Sequence, residues 1–150
     1  MKGKLLWSIF WALVGVFVVE MGIIFIGVPI FGRLAATSLS SAIFGITVAL
    51  FGLGVVGLGI ALLVLAARAK VGRRLKGFLL LTGASATGVL VFAVLHNLVY
   101  ALLINFFGFG ADFDEPVFFI MATMICPLAF LVGVVGSVVL GFKKSLSRSQ

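Results

Sequence analysis

The chain has 150 residues, 63% of them hydrophobic and 10% charged, with a net charge of +7 and a mean hydropathy of +1.39. No water-soluble domain of this length needs so much apolar surface, so the composition excludes a soluble enzyme or adaptor and assigns the chain to a lipid bilayer. The positive charge points to no nucleic-acid partner, because its placement along the chain has a simpler explanation in membrane topology.

A helix needs roughly 20 apolar residues to cross the hydrocarbon layer, and the first such run covers residues 5–31, after Lys2 and Lys4. Leu34-Ala35-Ala36 resembles a cleavage site, but the run is far longer than the apolar core of a signal peptide, about 7–15 residues, and reads as a retained membrane anchor. Trp7 and Trp11 are one turn apart near its basic start, the pattern of an aromatic anchor at the headgroups. Glu20 lies deeper, nine residues before Pro29. At about 100° per residue it shares a face with Leu13, Val16, Ile24 and Gly27, opposite the two tryptophans. The tryptophans are therefore expected to face lipid and the carboxyl to face protein.

An outer connector, 32–40, carries Arg33 and leads to a second run, 41–67, with Gly52, Gly54, Gly57 and Gly59. A basic connector, 68–77, holds Arg68, Lys70, Arg73, Arg74 and Lys76. The third run, 78–107, contains the only histidine, His96, nine residues before Asn105 and so at a depth matching Glu20. Thr82, Ser85, His96 and Tyr100 fall in a stripe about 60° wide, flanked by Asn97, and such a polar seam must meet protein or water. The same run holds the small-xxx-small pair Ala84 and Gly88.

A second outer connector, 108–116, is acidic, with Asp112, Asp114 and Glu115. These carboxylates either draw cations to an outer mouth or form a solvated turn before Pro116, paired with Arg33. They lack the ligand spacing and glycine of a calcium loop, so no metal is assigned. The fourth run, 117–142, contains Cys126, Pro127, Gly133 and Gly136, and a tail, 143–150, adds Lys143, Lys144 and Arg148. Pro127 lacks the N–H that would bond the carbonyl of Thr123, at a depth again near that of Glu20. The single cysteine reads as a small buried side chain.

Ten of the eleven cations fall on one side of this alternation, so both termini are expected in the cytoplasm of a multi-pass plasma (cell inner) membrane protein. The fold expected is an all-α integral membrane protein, one domain, a four-transmembrane-helix bundle. Phe51-Gly-Leu-Gly54-Val-Val-Gly57 matches Phe130-Leu-Val-Gly133-Val-Val-Gly136, which reads either as two parallel helical hairpins or as convergence on one close-packing pattern. Gly52, Gly54, Gly57, Ala84, Gly88, Gly133 and Gly136 mark helix contacts, within one chain or between copies.

Glu20, His96, Asn97, Tyr100, Thr123 and Pro127 together form the expected intramembrane polar site, since ionisable groups in the membrane are by default functional candidates. One reading is a proton- or cation-coupled transporter or channel with Glu20 as the counter-charge. The other is a non-transporting accessory subunit or self-associating scaffold in which Glu20 and His96 lock helices together. The partners expected are lipid, other membrane subunits or further copies, and a small cation or proton. Catalysis is not expected, since no phosphate, zinc, haem or nucleophile motif is present and no cofactor is implied. A single glutamate in the first of four spans resembles the small multidrug exporters at that residue alone, and nothing is carried over from it.

Overall fold

The computed structural model describes residues 2–27, 38–108 and 116–146, and of these 96% are helical with no strand. The first span is helix α1 (Lys2–Gly22) continued by a π-helical turn, Ile23–Gly27, and the second is α2 (Ser38–Arg68). The third is α3 (Arg73–Phe107), and the fourth comprises α4 (Pro116–Ile120), a π-helical turn, Met121–Ile125, and α5 (Cys126–Leu146). Four helical segments, Gly3–Ile26, Gly45–Arg68, Arg73–Phe106 and Pro116–Lys143, are long and apolar enough to cross a membrane. Pro29, Arg33, Asp112, Asp114 and Glu115 lie outside the described residues.

The basic connector is shorter than the apolar run implies. Arg73, Arg74, Leu75 and Lys76 form the first turn of α3, so that the linker contracts to residues 69–72. Leu75 is buried, and the Lys76 ammonium donates to the Ala67 carbonyl at 2.5 Å, tying the new helix back to the one before it. At the other end of α3, Gly108 adopts φ +68° and its N–H bonds the Leu103 carbonyl. This is the left-handed helix stop that glycine adopts without strain.

Buried positions recur in each span at alternating steps of three and four. They are Leu6, Phe10, Leu13, Phe17 and Glu20 in the first span and Gly52, Val55, Gly59, Leu62 and Ala66 in the second. The third follows with Leu75, Leu79, Thr82 and Ala86, the fourth with Cys126, Phe130, Gly133 and Ser137. That period of about 3.5 is the seam of near-parallel helices with interlocking side chains. Consecutive spans pack side by side, first on second, second on third, third on fourth. Phe17 of the first span and Phe130 of the fourth, stacked with ring centroids 3.9 Å apart, close the ring.

Glycines set the closest approaches. A Cβ on Gly83 would stand 2.9 Å from the Gly59 carbonyl oxygen, and one on Gly133 only 2.8 Å from the Thr82 nitrogen. Gly136 lies on the ring of Phe78, and a Cβ on Gly88 would come 2.9 Å from Cys126 Sγ. Gly57, by contrast, has open space around it and Ala84 is exposed, so these two face away from the neighbouring spans, while Gly54 has only Val16 near it, at 3.9 Å. The repeated Gly-x-x-Gly segments therefore pack differently, outward at Gly54 and Gly57, inward at Gly133 and Gly136. Gly83, not singled out by spacing, supplies the second-to-third contact.

Trp7 corrects the expectation that both tryptophans face lipid. Its indole is partly buried against Gly141 at the end of the fourth span, whereas Trp11 is 52% exposed. Phe10, fully buried, meets both indoles edge-on at 5.2 and 5.3 Å.

Thr82 and Ser85, buried within the bundle, donate to carbonyls of their own helix, Phe78 at 2.9 Å and Leu81 at 2.6 Å. Ser137 is fully buried and its hydroxyl has no hydrogen-bond partner among the described residues. Ser137→Ala is therefore expected to leave stability unchanged or raise it by about 1 kcal/mol, because it removes a desolvated polar group without opening a large void. Thermal unfolding in detergent measures this, and a loss of stability would mean that the hydroxyl is bonded.

Candidate functional site: a carboxyl at the end of the packed core

Glu20 is the last buried residue of the first span and is 6% exposed. The seam spacing explains its position, since Leu13 and Phe17 precede it on the same face at the same alternation. Its carboxyl lies against Gly52, where a Cβ would approach Oε1 to 3.1 Å, and Leu90 Cδ1 closes the third side at 3.6 Å from that Cβ position. The absence of a side chain at Gly52 is what gives the carboxyl room. Among the described residues nothing hydrogen-bonds or ion-pairs with it. One turn towards the basic end, the stacked rings of Phe17 and Phe130 seal the bundle beneath it.

Tight packing stops at this level in all four spans. Among the described residues none is buried beyond Glu20 in the first span, before Gly52 in the second or beyond Ala86 in the third, and in the fourth only Ala122 is buried before Cys126. Both π-helical turns lie in this looser half, one beginning three residues after Glu20 and one directly before Cys126 and Pro127. The second has a local cause. Pro127 cannot donate to Thr123, and the ladder widens so that the Cys126 N–H bonds the Met121 carbonyl. Cys126, the neighbour of Pro127, packs on Gly88, two residues from Leu90.

The remaining residues of the expected site lie elsewhere. At the level of Glu20 the third span presents Leu90, and His96 follows six residues later, about 9 Å along a helix rising 1.5 Å per residue. No hydrogen bond or ion pair joins His96 to Glu20. The His96 ring instead lies 5.5 Å from that of Phe119 in the fourth span and is stacked with Tyr100 at 6.5 Å. Phe92 and Phe118, stacked at 6.2 Å, extend this aromatic contact between the third and fourth spans. Asn97 is exposed and donates to the Ala93 carbonyl at 2.8 Å, and Thr123, also exposed, donates to the Phe119 carbonyl at 2.7 Å. Each satisfies its own helix and turns away from the carboxyl.

The polar seam thus divides into a self-satisfied part toward the basic end, Thr82 and Ser85, and an aromatic cluster beyond the level of Glu20, at His96 and Tyr100. Gly52 and Leu90, which stand beside Glu20, and Phe17 and Phe130, which stack one turn away, carry no polar signal. Only the position of Phe17, three residues before Glu20 on the seam, points to it in the sequence. Among the described residues no group of three or more His, Cys, Asp or Glu could hold a metal ion. No family model, no curated protein and no solved structure matches the chain.

Proposed function

We propose that this is a proton-coupled membrane transporter or channel whose buried Glu20 takes up and releases a proton. The observation that carries the reading is a 6%-exposed carboxyl with no partner among the described residues, at the level where bundle packing ends. A carboxylate at such depth must be neutralised by a cation, a proton or a fixed partner. Hard metal cations take about six oxygen ligands, whereas the surroundings of Glu20 are Gly52, Leu90 and Phe17, so a proton suits the site better. The looser half of the bundle gives the carboxyl a route to one side, and the Phe17–Phe130 stack must part for a proton to reach the other. With the basic end in the cytoplasm, as its lysines and arginines favour, the route opens outward.

Proton uptake into proteoliposomes under an imposed membrane potential tests this. Glu20→Gln is expected to reduce uptake to that of empty vesicles, Glu20→Asp to retain part of it, and Gly52→Val, which pushes a side chain into the carboxyl's space, to lower it at least several-fold. Uptake by Glu20→Gln equal to the unsubstituted protein rejects the proposal.

A second reading, an accessory subunit or self-associating scaffold, is favoured by the outward-facing Gly57 and Ala84, which allow another helix to approach closely. It expects one complex of fixed composition after mild detergent extraction.

A further inference from the structure

At the basic end, the first and fourth spans leave a cleft of about 240 Å³ lined by Trp7, Trp11, Val138, Gly141 and Phe142. Gly141 forms its floor, since a Cβ there would stand 2.7 Å from the Trp7 ring. Both indoles are held edge-on against the buried Phe10, so the aromatic wall is fixed by packing and does not depend on a ligand. Lys4 lies one turn nearer the basic end, on the flank that Trp11 shares, and Lys143 follows Phe142; both lysines are exposed. No Asp or Glu occurs in residues 1–19 or 116–150 to oppose them.

An apolar slot at the headgroup level with an unopposed cationic rim matches one kind of molecule. We propose that the cleft holds an acyl chain of an anionic phospholipid from the leaflet at the basic end, with its phosphate at Lys4 and the charge of Lys143 adding to the attraction. Tryptophan rings sit stably at this interface, and each lysine near it attracts anionic lipid. The site is independent of Glu20.

Trp7 and Trp11 are the only two tryptophans, so their fluorescence reads the cleft directly. In vesicles of mixed phosphatidylcholine and phosphatidylglycerol, chain-brominated phosphatidylglycerol is expected to quench with roughly tenfold higher relative affinity than chain-brominated phosphatidylcholine. The Lys4→Gln/Lys143→Gln double variant, altered only at exposed positions, is expected to lose most of that preference. Gly141→Leu, which fills the floor, is expected to reduce quenching by both lipids. Equal quenching by the two lipids in the unsubstituted protein, or a preference unchanged in the double lysine variant, overturns the proposal.

Discussion

Gly133→Ala destabilises the bundle by about 3 kcal/mol or more in a detergent unfolding titration, while Gly57→Ala shifts it by less than about 0.5 kcal/mol. The added Cβ at 133 would stand 2.5 Å from Thr82 Oγ1, 2.8 Å from the Thr82 nitrogen and 3.1 Å from the Phe78 carbonyl oxygen. Two of these three atoms belong to the backbone of the third span, so no rotamer change relieves the overlap. The hydroxyl is itself engaged, donating to that same Phe78 carbonyl at 2.9 Å. Relief requires the third and fourth spans to separate, which also lifts Gly136 off the Phe78 ring. Gly57 is the matched control, a glycine of the same repeated segment with nothing within 4 Å of a new Cβ. A Gly133→Ala protein that unfolds at the same denaturant concentration as its parent rejects this register of the third span on the fourth.

The contrast between Gly133 and Gly57 also marks the boundary of what the amino-acid sequence expresses. Lipid demands long uninterrupted apolar runs, so the presence of four spanning helices was legible. The inward face of the first span was legible for the same reason, because Glu20 and Leu13 recur on one seam. Height was not legible. Counting nine residues back from Pro29 and from Asn105 assumes that those two residues mark the same height, yet Leu90, not His96, is the third-span residue that meets Gly52 beside Glu20. His96 lies six residues further along the helix. Faces rich in glycine were ambiguous too, since Gly52 and Gly59 lie on the second span's seam while Gly54 and Gly57 lie off it. Only the neighbours Val55 and Leu62 distinguish the two sets. Trp7 could not be oriented from its own span, because the room for its indole is made by Gly141 on another.

Glu20→Met is expected to raise the stability of the bundle by about 1–3 kcal/mol and, in the same protein, to abolish proton uptake. Methionine is unbranched, close in length to glutamate and flexible enough to follow its path between Gly52 and Leu90. It removes a polar group that is 6% exposed and has no hydrogen bond or ion pair among the described residues. Nothing would be left behind uncompensated, which distinguishes this exchange from breaking a buried pair, where the orphaned partner causes the large loss. Opposed changes in stability and uptake mark a residue kept for its chemistry at a cost to the fold. The accessory or scaffold reading expects the reverse, because a carboxyl that locks helices, whether within the chain or to another subunit, loses that bond when it becomes a thioether. Unfolding and uptake measured on one preparation of Glu20→Met therefore separate the two: a more stable, inactive protein supports the proton site, and a less stable one makes Glu20 a structural clasp.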